Sequence, residues 1–154
     1  MSSLADLYAE LKADVVALAD PLIEQSQKRL QAKDDFLPHA AVLGADGKVV
    51  LMGAMTGSRD GQAHASHIMP MVLSGVRQVS REKVVVAVGI AENVSLTRGE
   101  MPMQAIKVLL EHERGLTVAM FLPFHKAGSG DYYFGEAFVT PANPELRLWT
   151  RLPE

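Results

Sequence analysis

Histidine is the residue type in this chain best suited to chemistry near neutral pH, because imidazole both ligates metals and transfers protons. The chain has five histidines. His64 and His67 are three residues apart, which on a helix places both rings on one face, where they could share a metal ion. Asp60 would add an oxygen ligand. One hypothesis is therefore a metal-dependent hydrolase using His64 and His67. The alternative is a pair of ordinary exposed or packed histidines, since no H-E-x-x-H pattern is present.

Three further polar residues suggest a small-ligand site. His39 stands at the start of a predicted strand, His125 follows another, and Arg59 lies in a glycine-containing loop. A small-ligand sensor or carrier, with its pocket between sheet and helix, would use these three side chains as polar contacts. For His39 the sequence favours the alternative, a hydrogen-bonded structural residue. His112 and His125 are predicted at opposite ends of one strand, too far apart to meet.

Nucleophilic catalysis has no clear basis in the sequence. Ser58, Asp60 and His64 can be drawn as a triad, but no G-x-S-x-G elbow fixes the serine. The glycine-containing loops match neither G-x-x-x-x-G-K-[ST] nor G-x-G-x-x-G. We therefore predict no catalytic residue and no cofactor, and enzyme activity is disfavoured.

One carboxylate is predicted to face solvent. Glu111 alternates with the apolar residues Ile106, Val108 and Leu110. Alternation along a strand places Glu111 on the face opposite to theirs. We therefore expect an exposed, solvated side chain.

Methionines suggest a different kind of function. The stretch GEMPMQ exposes Met101 and Met103 in or near a predicted loop, and flexible thioethers suit adaptable partner surfaces. We expect Met69 and Met120 in the core, and we predict Met101 and Met103 as contacts of a dimer or a partner protein.

Composition narrows the class of protein. The 154 residues fit one domain, 1–154, with a helical segment 1–33 packed on a sheet. The net charge of -3, with scattered basic residues, predicts no nucleic-acid partner. No basic n-region and no apolar run of membrane-spanning length is present, so we expect no signal peptide and no membrane association. The absence of cysteine fits a cytoplasmic protein.

Hydrophobic spacing predicts the element order α-β-β-α-β-β-β-β. Leucines three and four residues apart predict one long helix, kinked at Pro21 and ending near Ala32. Asp46-Gly47 predicts a tight hairpin turn between two strands that are both central in the sheet. The later elements are a helix from about Met69, strands 83–92, 103–112, 116–124 and 132–140, a loop 93–102, and a short uncertain element 146–150. Short turns between the strands favour an α+β fold with one antiparallel sheet of about five to six strands.

The hairpin AAVLGADGKVVLMG, the helix after it and the strand KVVVAVGIAE resemble profilin-like and roadblock-type domains over residues 36–125. That resemblance implies a five-stranded antiparallel sheet with helices on its faces, and a role as adaptor, dimerisation platform or ligand sensor. The chain also resembles small uncharacterised bacterial proteins, which implies no activity. We therefore predict a non-catalytic protein-binding or dimerisation module, with the ligand carrier and the metal hydrolase as alternatives.

Overall fold

A computed structural model describes residues 3–33, 35–53 and 65–149 of the chain. It confirms the predicted α+β class with one antiparallel sheet. In chain order the elements are α1 (Leu4–Glu10), α2 (Lys12–Lys33), β1 (His39–Gly44), β2 (Val49–Gly53), α3 (Ala65–Glu82), β3 (Val85–Arg98), β4 (Met101–His112), β5 (Thr117–Lys126), β6 (Tyr132–Phe134) and β7 (Phe138–Pro141).

The strands of these described ranges lie in the order β2-β1-β3-β4-β5-β6, and β7 pairs with β5 alongside β6. Every pairing is antiparallel. Helix α2 packs on β1 to β4, and α3 packs on β1, β2 and β3. The two helices lie on opposite faces, since alternate residues of β1 and β3 join separate hydrophobic clusters.

The N-terminal helix breaks earlier than the sequence suggested. Ser3 caps α1 in a reciprocal capping box with Asp6, and α1 ends at a C-cap on Leu11. Helix α2 then runs through Pro21 to Lys33. Leu22, which follows the proline, is completely buried. Burial of this leucine face offsets the backbone hydrogen bond that Pro21 cannot donate.

Helix α3 begins at Ala65, four residues before the predicted start near Met69. Its buried stripe of Ile68, Val72 and Val76 packs on β1 and β3. Burying three such side chains contributes about 1.5–3 kcal/mol each, against roughly 3 kcal/mol for an internal proline. The helix therefore tolerates Pro70.

The first hairpin turns at Asp46-Gly47 as predicted, but its loop is longer than a two-residue turn. Gly44 N–H donates to the Lys48 carbonyl, and only Gly47 of the loop has a positive φ angle. The prediction that both strands are central holds for β1, which is buried throughout, and is wrong for β2. Strand β2 is the edge of the sheet, with Leu51 51% exposed.

The predicted loop 93–102 is instead a long β-arm. Strand β3 continues to Arg98 and pairs with β4 down to Met101, around a turn at Gly99 with a φ of +66°. Valine and leucine at 94 and 96 alternate with polar residues, which is the period-2 pattern of a strand. The predicted strand 132–140 is broken into β6 and β7, and residues 146–149 form no strand.

No helix in the part of the chain that the structure describes is long and apolar enough to span a membrane.

Candidate binding surface

The strongest candidate surface is on the half of the sheet that α3 does not reach. Phe121, Pro123 and His125 are alternate residues of β5, so they share one face. The other face of β5 carries Phe124 and joins the cluster beneath α2. Because α3 packs on β1 to β3, neither helix packs on the first face.

Aromatic rings are stacked on this face. Phe121 stacks on Phe138 of β7, with ring centroids 5.2 Å apart and planes 22° from parallel. His125 stacks on Tyr133 of β6 at 5.6 Å with the same interplanar angle. Tyr133 is 51% exposed. We call these four rings the aromatic face, an arrangement that presents a large rigid contact area.

Next to the aromatic face lies a cleft of about 700 Å³. Strands β4 and β5 pair as far as Gln104 and Phe124, and beyond that point the two strands have no register with each other. The residues of β4 before Gln104 pair with β3, and those of β5 beyond Phe124 pair with β6. We call this opening the fork cleft; its lining includes Met101, Pro102, Met103, Pro123, Phe124 and His125.

An ion pair lies close to these aromatic rings. Lys107, the cross-strand partner of Phe121, lies 3.6 Å from a carboxylate oxygen of Glu92 on β3. Both side chains are about three-quarters covered. Burial raises the pKa of Glu92, and the charge of Lys107 opposes that rise. This pair adds two charges beside the ring of Phe121 that a partner must accommodate.

The structure brings together three residues that the sequence assigned to two separate sites. Met101 and Met103, predicted as partner contacts, line the fork cleft together with His125, predicted as a ligand contact. His39, predicted to share a site with His125, is elsewhere on β1. Arg59 and His64 lie outside the described residues.

His39 has the structural role that the sequence favoured. Its Nδ1 donates to the Leu37 carbonyl at 2.9 Å, and its Nε2 lies 3.4 Å from both the Ser26 hydroxyl and the Leu22 carbonyl. Its ring meets Phe36 edge-on and is buried. Burial lowers the pKa of His39, partly opposed by these backbone hydrogen bonds. The ring therefore joins β1 to α2.

Glu111 is not exposed, contrary to prediction. It faces away from the α2 side as expected, but the C-terminal segment 143–149 covers it. Its carboxylate accepts three consecutive backbone N–H groups, from Glu145, Leu146 and Arg147, at 2.9 to 3.1 Å. Arg147 has a φ of +54°, which helps the three amides converge. Segment 143–149, the C-terminal strap, is therefore hydrogen-bonded to one buried side chain, and its Leu146 packs in the hydrophobic cluster beneath α3.

His112 is the last residue of β4 and lies beside the start of β5, whereas His125 lies near the end of β5, so the two are far apart as predicted. Both ring nitrogens of His112 have hydrogen-bond partners. Its Nε2–H donates to Asp14 of α2 at 2.8 Å, and its Nδ1 accepts the Arg114 N–H at 3.1 Å. Neither nitrogen is free to act as a base in this arrangement. Together with an ion pair between Arg114 and Glu10, the ring ties the N-terminal helices to the β4–β5 turn.

The metal hypothesis remains a prediction. Ser58, Asp60 and His64 lie outside the described ranges, and for His67 the structure describes only its place in α3. Across residues 3–33, 35–53 and 65–149, no group of three or more histidine or acidic side chains is arranged to hold a metal ion.

Small cavities lie between α2 and the sheet. A cavity of about 10 Å³ remains there, lined in part by Val15, Leu18 and Leu110. That volume is at the lower limit for one water molecule. A second cavity of about 80 Å³ lies toward β2 and is lined in part by Arg29 and His39. Both volumes are below the roughly 300 Å³ at which small-molecule pockets begin, and the ligand pocket between helix and sheet stays a prediction.

Comparisons of the chain with protein-family models, with curated proteins and with solved structures find no match. The resemblance to profilin-like and roadblock-type domains therefore stays a prediction from sequence.

Proposed function

We propose that this protein is a protein-binding module that docks an apolar segment of a partner protein in the fork cleft and on the aromatic face. One observation carries the proposal: two methionines, two prolines and the ring of Phe124 line one open cleft of about 700 Å³. Met101 is 70% exposed. Large apolar side chains clustered at one surface are typical of interaction sites.

The chemistry of the lining favours a peptide segment with apolar and aromatic side chains. Thioether groups adapt to different shapes, and stacked rings supply rigid anchors with little loss of conformational entropy. The Glu92–Lys107 pair near Phe121 adds charges of both signs. Such fixed charges favour one orientation of a bound segment over others.

Selection from a random peptide library displayed on phage tests the proposal. Selected peptides should bind the full-length protein, and Met101→Lys should weaken binding about tenfold or more, since a charge at an apolar anchor costs more than about 1.4 kcal/mol. Val84→Lys is the matched control, because Val84 is equally exposed, at 70%, but lies just before β3 and outside the fork cleft. Peptide binding unchanged by Met101→Lys would overturn the proposal.

A small-ligand carrier is the second candidate, because the volume of the fork cleft falls within the range of about 300–1,000 Å³ found for ligand sites. The amide of Gln104 and the imidazole of His125 would orient a bound molecule. Native mass spectrometry of the purified protein separates the two candidates. Additional mass that is lost in Met101→Lys favours a small ligand, whereas bare protein that still binds selected peptides favours protein binding.

A further inference from the structure

The two edges of the sheet differ in how they resist pairing with other strands. Strands β6 and β7 are short, with three and four residues, and an interruption at 135–137 separates them. Short, broken edge strands are a common protection against edge-to-edge association. Strand β2 at the other edge has an unbroken register with β1 over five residues. It contains no charge, no proline and no bulge.

The outward backbone groups of β2 can be assigned from the ladder. Gly44 N–H donates to the Lys48 carbonyl, so this pair is hydrogen-bonded. Antiparallel pairs alternate between hydrogen-bonded and non-hydrogen-bonded, so Val49, Leu51 and Gly53 direct their N–H and C=O groups away from β1. In the described part of the chain, no strand pairs with these groups.

This pattern is self-complementary. An antiparallel copy of β2 related by a two-fold axis at Leu51 places Leu51 opposite Leu51 of the copy, and Val49 opposite Gly53. Each residue of β2 whose backbone N–H and C=O groups point outward then lies opposite a residue of the copy whose backbone groups also point outward. Lys48, which immediately precedes the strand, would lie at opposite ends of the pair, so the two ammonium groups would not repel at close range.

Apolar side chains flank this edge on both faces. Val50 is 39% exposed on the α3 side, and Leu51 is 51% exposed on the α2 side. Met71 of α3 is exposed as well. It lies one helical turn before Gly75, where a Cβ atom would come within 3.2 Å of the Met52 side chain of β2. A second copy would therefore cover exposed apolar side chains and also satisfy the backbone.

We infer that β2 pairs with β2 of a second copy, joining two sheets into one continuous sheet across a two-fold axis. This interface is separate from the fork cleft, which lies among β4, β5 and β6. The homodimer that the sequence suggested would thus form without using the surface proposed for partner binding.

Size-exclusion chromatography with light scattering, over a range of protein concentrations, tests this inference on the full-length protein. We expect a dimer for the wild type and for Val139→Lys, and a dimer at least about tenfold weaker for Val50→Lys. Val139 is the matched control, because it is equally exposed, at 39%, on the opposite edge of the sheet. Met101→Lys should also remain dimeric, which keeps this test independent of peptide binding.

Amide exchange provides a second test that needs no variant. In the wild type, the Leu51 amide should exchange more slowly as protein concentration rises, while the amides of β7 should not change. A wild-type monomer at all concentrations would overturn the inference. So would a Val50→Lys dimer as strong as the wild type, or concentration-independent exchange at Leu51.

Discussion

Near Gly89 the sheet is covered on both sides, whereas Phe121, Pro123 and His125 lie on a face that neither helix packs against. A Cβ atom at Gly89 would come within 2.7 Å of the Leu22 side chain, so α2 packs directly on the backbone there. The covered region is built mostly from buried aliphatic side chains in close contact. The uncovered region instead carries methionines, prolines and stacked rings. Under the proposed function, stability and recognition are therefore assigned to separate parts of one sheet.

The largest expected effect is in the covered region. Leu22→Ala should lower the free energy of unfolding by about 3–5 kcal/mol, because Leu22 is completely buried and the cavity would remain partly open. Leu96→Ala in the uncovered arm, where Leu96 is only half-buried, should cost less than about 1.5 kcal/mol. Urea unfolding of both variants measures the contrast. Similar losses at the two leucines would contradict the division of the sheet.

The next largest effect concerns the C-terminal strap, which covers Glu111 on the α3-side face of β4. Glu111→Gln should cost about 2–3 kcal/mol, because an amide group cannot accept all three backbone N–H groups. The single tryptophan of the chain, Trp149, is in the strap, so its fluorescence should shift to longer wavelength as the strap detaches. Glu113→Gln is the control, since Glu113 is exposed. Unchanged stability and fluorescence in Glu111→Gln would show that the strap is held in another way.

A smaller effect is expected where the N-terminal helices join the sheet. Asp14→Asn should cost about 1 kcal/mol, because it weakens the hydrogen bond from His112 without removing it. Asp20→Asn, an exposed change in the same helix, should lie within about 0.5 kcal/mol of the wild type. Thermal unfolding of both variants measures this difference. Equal midpoint temperatures would show that the hydrogen bond between Asp14 and His112 does not contribute to stability.

The smallest effect is a pH dependence. Because burial lowers the pKa of His39 in the folded state, the unfolded chain binds the proton first as pH falls. His39 should therefore reduce stability as pH drops below about 6.5, its ordinary value. His39→Gln should make the unfolding free energy less dependent on pH between 7 and 5. If the unfolding free energy of His39→Gln changes with pH as steeply as that of the wild type, His39 does not contribute to the pH dependence of stability.

Local pattern predicted much of the covered region. The leucine spacing of the N-terminal helix, the Asp-Gly turn and the buried run of β1 each depend on residues close in sequence. The alternation within 93–98 also carried a strand signal, which the polar composition obscured. The prediction for Glu111 failed because its partners are 34 to 36 residues away and are backbone groups, which have no sequence signature.

The candidate surface was predictable only in pieces. Exposed methionines at 101 and 103 were recognised from a loop-like sequence, and His125 from its residue type. These residues lie close together because β4 and β5 separate beyond the pair of Gln104 and Phe124. The point of separation is a property of strand register. Register over a long antiparallel pair is set by packing of the whole sheet, so none of these three residues alone indicates the fork cleft.

The most direct test of the proposed binding surface measures the unfolding free energy and peptide binding together in Met101→Lys. We expect the unfolding free energy of Met101→Lys to lie within about 0.5 kcal/mol of the wild type, and its binding of the selected peptides to be at least about tenfold weaker. Val84→Lys, the matched control, should leave both quantities unchanged. Loss of stability in Met101→Lys, or peptide binding as strong as in the wild type, would contradict the claim that the uncovered half of the sheet is the binding surface.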